Sequence, residues 1–252
     1  MLSRDLLCAL KPSIWAARSL GFVADPWQAE VLDSTVRKIL LCCSRQSGKS
    51  SVSSILALHT ALFRPGSLVL MVSPSLRQSS ELFRKLLGYL AMLEPVPIRI
   101  EDTRLSLKLD NGSRVISLPG SEGTIRGFSS VSLIIIDEAA RVGDDLYYSV
   151  RPMLAVSRGR MLALSTPFGK RGWFFHEWSD GTLWQKHAVK ALQCPRISRD
   201  FLEEERRSMP AAWFAAEYMC EFTEAVDSMF SYEQVMAAVA EDVEPLDLGG
   251  EE

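Results

Sequence analysis

Residues 38–51 of this chain read KILLCCSRQSGKSS, an apolar run followed by a small polar loop that contains one glycine and one lysine. The run Ile39–Cys43 predicts a buried β-strand, and residues 44–50 predict a phosphate-binding loop that opens a helix. In such a loop, successive backbone N–H groups point at phosphate oxygens, and Gly48 lets the backbone approach them closely. The stretch therefore predicts a site for a nucleoside triphosphate.

The residues of this loop have separate expected roles. Lys49 is expected to reach the β- and γ-phosphates, and the hydroxyl of Ser50, in the first helical turn, offers a ligand to Mg²⁺. Arg45 adds a second cation, and we expect both cations to stabilise the charge of phosphoryl transfer. One position departs from the usual pattern, because Cys43 stands where a glycine is expected. The residues to which we assign nucleotide contacts in this stretch are Ser44, Arg45, Gln46, Ser47, Gly48, Lys49, Ser50 and Ser51.

The composition is that of a globular protein with one sizeable core. Of 252 residues, 47% are hydrophobic and 23% are charged, and the net charge of −3 gives no electrostatic case for nucleic-acid binding by the chain alone. The five cysteines lack metal-type spacing and are expected to be reduced, and the three histidines are expected to be structural. No run of 18 apolar residues occurs, so we expect no membrane association and a cytoplasmic location.

Strands and helices are expected to alternate along most of the chain. The apolar runs that predict parallel strands buried on both faces are Lys38–Cys43, Ser67–Ser73, Ser132–Ile136 and Arg160–Ser165. Helical patterns lie between several of them, at Ser50–Phe63 and at Leu76–Leu93. This order predicts a doubly wound α/β sheet.

Two stretches interrupt this alternation. The runs Leu105–Leu109 and Arg114–Leu118 flank a turn sequence and predict an inserted β-hairpin. After Pro195 the residues become charged and small at helical spacing, with a Ser198 cap before one helix and Pro210 before a second. The domains that we expect are an ATPase-type core at 1–195 with an N-terminal helical segment at 1–37, a helical lid at 196–240 and a flexible acidic tail at 241–252.

A second chemical motif follows the third predicted strand. Residues 133–138 read LIIIDE, which places Asp137 and Glu138 at the carboxyl edge of the sheet, where ligands of open α/β sheets bind. Asp137 is expected to hold Mg²⁺, and Glu138 to orient and polarise the attacking water. In isolation this pattern is that of a solvated acidic turn. Its position downstream of the phosphate loop favours the catalytic interpretation.

Three further positions have chemistry that the residues alone leave open. Thr166 ends another strand at the same edge, where its hydroxyl could sense the γ-phosphate or form an ordinary turn. Arg126 precedes Gly127 and could project toward a phosphate, although a plain surface arginine is favoured by the sequence alone. The amide of Gln28 could contact an adenine edge, a role that we would not assign without a family pattern.

Together these residues resemble the ATPase domain of the large terminase subunit, the motor that packages DNA into tailed-phage and herpesvirus capsids. The resemblance rests on the order of five motifs, and it extends through the Glu217-Tyr218 and Glu221-Phe222 segment. The five segments are Pro26-Trp27-Gln28 for the adenine contact, residues 44–50 for the phosphate loop with its additional arginine, Ile125-Arg126-Gly127 for an arginine finger, Asp137-Glu138-Ala139-Ala140 for the second nucleotide motif and Ser165-Thr166-Pro167 for the coupling motif.

The resemblance implies a P-loop NTPase fold of the ASCE type, with a mainly parallel central sheet flanked by helices, an inserted hairpin and a small helical lid. It also implies ATP and Mg²⁺ as cofactors, and an ATPase that translocates double-stranded DNA into a procapsid in the cytoplasm of an infected or lysogenic bacterium. The implied partners are the portal protein, the small terminase subunit and further copies of the chain, which would form a ring on the capsid and be monomeric in isolation. In that ring Arg126 would act on the neighbouring subunit.

Three expectations complete this interpretation. The family's nuclease is not expected here, because the 30 residues after Phe222 are too few for a typical domain of ~100 residues. A helicase is one alternative, because Asp137-Glu138-Ala139 also resembles a helicase motif, but it requires a second sheet domain. The other alternative is a nucleotide-gated assembly module that hydrolyses little ATP. The presence of Cys43 where the loop pattern expects a glycine favours this alternative.

Overall fold

The computed structural model describes residues 2–120, 125, 127–224, 234, 237 and 238. Its strands are β1 (Lys38–Cys43), β2 (Leu68–Ser73), β3 (Arg99–Asp102), β4 (Ser106–Leu109), β5 (Arg114–Pro119), β6 (Leu133–Asp137), β7 (Arg160–Ser165) and β8 (Gln185–Val189). Its helices are α1 (Leu2–Leu10), α2 (Pro12–Ser19), α3 (Pro26–Asp33), α4 (Lys49–Phe63), α5 (Leu76–Ala91), α6 (Asp144–Val150), α7 (Gly172–Ser179), α8 (Arg199–Ser208) and α9 (Ala211–Met219). Short 3-10 helices occur at Ala139–Arg141, Arg151–Leu154 and Ala191–Gln193.

Within the described residues, eight strands form one sheet in the order β3-β4-β5-β2-β6-β7-β1-β8. The six strands β5-β2-β6-β7-β1-β8, taken in their order across the sheet, are each parallel to their neighbours. At the β5 edge, β4 pairs antiparallel with β5 and β3 pairs antiparallel with β4. Strand β7 lies between β1 and β6, which brings the carboxyl ends of these three strands side by side. The mainly parallel α/β sheet, with the ASCE arrangement of P-loop NTPases, is therefore confirmed.

Both faces of the sheet are covered, because alternate residues of each strand point to opposite faces. In β1, Ile39 and Leu41 pack in a core cluster that includes side chains of α2, α3, α4 and α5. Leu40 packs on the other face, in a cluster with Tyr147 of α6 and Trp173 of α7. The buried strands are nearly all apolar for this reason, which is the pattern from which they were predicted.

The two helices after residue 195 pack on each other, and the Arg45 N–H donates to the Glu217 carbonyl of α9, which joins this pair to the loop after β1. The Ser198 hydroxyl accepts a hydrogen bond from the Phe201 backbone N–H and begins α8, as predicted. Helix α9 follows Pro210, and its Tyr218 is buried with Leu202 in a small separate core cluster. These two helices contain most of the described part of the predicted lid, and the predicted tail at 241–252 lies outside the described residues.

The sequence missed two edge strands and the role of the hairpin. Strands β4 and β5 form the predicted hairpin, but β5 also pairs in parallel with β2, so the hairpin extends the central sheet. All four residues of β3 are exposed, and β8 reads QKHAV, so neither has the continuous apolar pattern of a buried strand. All five cysteines are free, as expected. No helix among the described residues is both long enough and apolar enough to cross a membrane.

Candidate nucleotide site

The loop between β1 and α4 contains two residues with a left-handed backbone. Gln46 has φ of 55°, and Gly48, which caps α4, has φ of 94°. A Cβ atom on Gly48 would lie 2.6 Å from Nε2 of Gln28 and 3.3 Å from Nη2 of Arg196. Only glycine fits here without strain, because the position combines a left-handed backbone with a close side-chain neighbour.

Replacing Gly48 with alanine is expected to lower the free energy of unfolding by ~1–3 kcal/mol and to weaken binding of a nucleoside triphosphate. The physical reason is the added clash at the mouth of the loop, which must move Gln28 or the loop itself. Gly66→Ala is a matched control, because Gly66 has φ of +70° but a Cβ atom added there would have nothing within 4 Å. Denaturant unfolding and nucleotide titration should separate the two variants. Equal losses of nucleotide affinity would contradict the account.

Lys49 and Glu138 are paired at the centre of the site. Their Nζ and Oε1 atoms are 3.0 Å apart, and the Lys49 side chain is only 12% exposed. Burial disfavours the charged form of Lys49, but the attraction of Glu138 and Asp137 outweighs it and raises the Lys49 pKa. Lys49 is therefore a fixed cation at the helix N-terminus, where phosphate groups bind.

Asp137 ends β6 and is almost fully buried. Burial is the main reason that its pKa is raised to about 6, and the positive charge of Lys49 opposes this shift. Its Oδ1 atom has no hydrogen-bond partner among the described residues. An oriented, unsatisfied carboxylate oxygen fits a divalent cation, since Mg²⁺ is usually held by one or two protein oxygens together with substrate phosphates. The described residues contain no cluster of three or more acidic, histidine or cysteine side chains that could hold a metal alone.

Two arginines that line the site, Arg45 and Arg141, contact different parts of it. Arg45, predicted to touch phosphate, donates a hydrogen bond from Nε to Glu217 of α9 at 2.6 Å. Glu217 is the main reason that the Arg45 pKa is raised. Arg141, which the sequence did not single out, donates from Nη1 to Glu138 Oε2 at 2.9 Å and to Thr166 Oγ1 at 3.2 Å. Arg141 follows Glu138 by three residues, and that spacing was the available signal.

These groups surround one cavity of about 580 Å³ at the carboxyl edge of the sheet. The sequence-predicted residues on its wall include both cations of the loop, the acidic residue after β6 and the hydroxyl after β7. The full lining is Arg45, Gln46, Gly48, Lys49, Ser50, Gln78, Lys85, Glu138, Arg141 and Thr166. The structure thus brings together residues that follow three different strands, β1, β6 and β7, although Arg45 and Thr166 are more than 100 positions apart in sequence.

The other predicted site residues lie around this cavity or outside the described chain. Ser44 and Ser47 are buried, and Ser51 accepts a hydrogen bond from Lys85 Nζ at 3.2 Å. Gln28 is buried behind the loop, where it accepts from the Asp25 N–H at 2.9 Å and donates to the Ser47 carbonyl at 3.4 Å. Its amide supports the loop in this structure, and its adenine contact stays a prediction. Arg126 lies outside the described residues.

Comparisons with known proteins agree with this geometry. The family described as "Terminase large subunit, T4likevirus-type, N-terminal" matches residues 40–236. The large terminase subunit of Thermus phage G20c is 25% identical over 261 residues, which cover 88% of this chain and 53% of that protein. The chain thus spans about half the length of the curated relatives that it matches.

Two solved structures share the fold. The large terminase ATPase domain of Thermus phage P74-26 has a TM-score of 0.76 at 24% identity, and the match covers 85% of this chain and 100% of that one. The large terminase of another thermophilic bacteriophage, solved in complex with ADP, has a TM-score of 0.66 at 13% identity, over 79% of this chain and 54% of that one. The family match covers well over half of the residues of this chain. The chain therefore belongs to the terminase large subunit family and corresponds to the N-terminal region of that subunit.

Proposed function

We propose that this chain binds and hydrolyses ATP to drive double-stranded DNA into a procapsid. The observation that carries the proposal is the pair formed by Lys49 and Glu138, 3.0 Å apart, on the wall of the cavity between the loop and the ends of β6 and β7. A cation placed for phosphates and a carboxylate placed for water are the parts that phosphoryl transfer needs from a protein. The ADP complex of the thermophilic phage terminase supports ATP as the nucleotide.

In this proposal the loop residues bind the phosphates of ATP, and the residues after β6 and β7 act at its γ-phosphate. The backbone of residues 44–50, with Lys49 and Arg45, holds the phosphates. Glu138 orients and polarises the water that attacks the γ-phosphorus. Thr166 accepts a hydrogen bond from Arg141. When the γ-phosphate is bound, Thr166 would contact it and so couple nucleotide binding to the neighbouring loop.

We assign Mg²⁺ to the same site. Asp137 and the hydroxyl of Ser50 would hold it, in agreement with the unpartnered Oδ1 of Asp137. When bound, the ion neutralises charge on the phosphate oxygens. Mg²⁺-dependent release of phosphate from ATP, measured with and without double-stranded DNA, tests the proposed function. Turnover that needs Mg²⁺ supports it, and absence of turnover under every condition contradicts it.

The assembled state is also proposed from the family. The partners would be double-stranded DNA, the portal protein and the small terminase subunit, in the cytoplasm of an infected or lysogenic bacterium. Several copies of the chain would form a ring on the capsid, with Arg126 of one copy reaching the γ-phosphate in the next. The net charge of −3 does not by itself favour DNA binding by the chain, so the DNA contact is proposed from the family alone.

If Arg126 acts in trans, ATP turnover per chain should rise with protein concentration. Far below the concentration at which half of the chains are assembled, mass action predicts a rise of at least about tenfold for a tenfold increase in concentration, because pairing of two copies already scales with concentration and a larger ring scales more steeply. The Arg126→Ala variant should lose this dependence and keep the low turnover of the dilute wild type, because assembly no longer completes its site. Phosphate release measured over a dilution series checks this result. Concentration-independent turnover that is the same in both proteins would contradict a trans role.

A further inference from the structure

Arg141 contacts the candidate water-activating group directly. It ends the 3-10 helix Ala139–Arg141, so its side chain returns over Glu138, the residue that follows β6. Nη1 donates to Glu138 Oε2 at 2.9 Å and is 3.2 Å from Thr166 Oγ1. One guanidinium nitrogen therefore links the residues that follow β6 and β7.

The other side of this guanidinium faces the helical part of the chain. Nη2 is 4.0 Å from Oε1 of Glu217 in α9, and the guanidinium carbon is 4.6 Å from the centroid of the Phe168 ring. The Arg141 side chain is 28% exposed, so it is held on several sides and still reaches the cavity wall. A planar guanidinium with contacts on both edges and one face has a fixed orientation.

The two oxygens of Glu138 have different partners, and this difference has a consequence for catalysis. Oε1 is 3.0 Å from Lys49 Nζ and Oε2 accepts from Arg141. Lys49 is expected to turn to the phosphates when ATP binds, which frees Oε1. Arg141 does not belong to the phosphate loop, and its hydrogen bond to Oε2 can persist. Glu138 would then keep its orientation while Oε1 becomes available to water.

We propose that Arg141 is a positioning residue for ATP hydrolysis, which holds Glu138 by one oxygen and leaves the other for the attacking water. Glu217 and Phe168 fix the guanidinium in turn, so the position of α9 relative to the sheet sets the orientation of Glu138. This inference rests on the proposed ATP hydrolysis. It assigns to Arg141 an effect on the chemical step and none on the binding of ATP.

The test compares kcat and KM for ATP in the full chain and in three variants. Arg141→Ala should lower kcat by ~10²-fold, the size expected for a misplaced reacting group, with KM within about threefold of the wild type. Arg141→Lys should show an intermediate loss of ~10-fold, because an ammonium can pair with Glu138 but cannot reproduce the planar bridge. Arg84→Ala is the matched control, since Arg84 Nη1 also donates to a glutamate three residues earlier, Glu81 Oε1, at 2.7 Å, but on the exposed surface of α5 and off the wall of the nucleotide cavity. It should change kcat by less than about twofold.

The outcomes separate this inference from the proposed function. An active wild type with Arg141→Ala at the same kcat overturns the positioning role alone. So does a higher KM at unchanged kcat, which would make Arg141 a nucleotide-binding group. If Arg141→Ala does not fold, as judged by its thermal unfolding transition, Arg141→Lys decides, and a wild-type kcat in that variant overturns the inference. A wild type that binds ATP but never hydrolyses it overturns the proposed function and this inference with it.

Discussion

Replacing Glu138 with glutamine is expected to lower the rate of ATP hydrolysis by ~10²–10⁴-fold, the usual effect of removing a positioned general base. Glutamine preserves the size of the side chain and its hydrogen bond from Arg141, but it cannot accept the proton of the attacking water. ATP binding should persist, because the loop and Lys49 are unchanged and Lys49 no longer has a competing carboxylate. Phosphate release measures the rate, and calorimetric titration with a slowly hydrolysed ATP analogue measures the affinity.

Glu204→Gln is the matched control for that variant. It makes the same chemical change at an exposed position of α8 and should leave the rate of ATP hydrolysis and the affinity for the ATP analogue unchanged. If Glu138→Gln and the wild type share one low background rate, the chain is a nucleotide-gated assembly module rather than a motor. That result would reject hydrolysis while leaving nucleotide binding intact.

Lys49→Ala is expected to lower kcat/KM for ATP by ~10²–10³-fold and to weaken ATP binding by at least ~10-fold. Lys49 is a buried cation of the site. Its removal also leaves the neighbouring carboxylates of Glu138 and Asp137 without the positive charge that attracts both. Kinetics at several ATP concentrations, together with titration of the analogue, measure both effects.

Lys85→Ala removes a second lysine from the wall of the same cavity and is the control for this experiment. Lys85 donates to Ser51 Oγ at 3.2 Å from an exposed position on α5, so its loss should change kcat/KM by about threefold or less. Similar losses in the two variants would mean that the cavity attracts phosphate by its summed charge. Similar losses would therefore count against a specific role for Lys49.

The parts of the site that could be predicted are those encoded by local patterns. An apolar strand that runs into Gly48-Lys49-Ser50, and another that ends in Asp137-Glu138, each specify an element and its chemistry within a few residues. Parallel pairing then places both carboxyl ends on one edge, as the register of β1 and β6 with β7 shows. This is why most residues of the cavity wall are ones that the sequence had singled out, and their roles toward a nucleotide stay predictions.

The contacts between distant segments could not be predicted in this way. Arg45 and Glu217 are 172 positions apart, and no local pattern indicates that α9 returns to the loop. Cys43 was ambiguous in sequence, because it ends a predicted strand and also stands where the loop pattern expects a glycine. It is fully buried in the core cluster and pairs in register with Val189 of β8. Cys43 thus belongs to the strand, where its side chain fills the core, and the loop begins at Ser44.

The central claim is that residues 44–51, with Asp137 and Glu138, form a site for ATP. The most direct measurement is a crystal structure of the chain with Mg²⁺ and a non-hydrolysable ATP analogue, in which the distance from Lys49 Nζ to Glu138 Oε1 is compared with the present 3.0 Å. The predicted result is an analogue whose phosphates lie in the loop, Lys49 moved from Glu138 to phosphate oxygens, and the metal on Asp137. An analogue bound elsewhere, or one bound with the Lys49–Glu138 pair intact, would contradict the account.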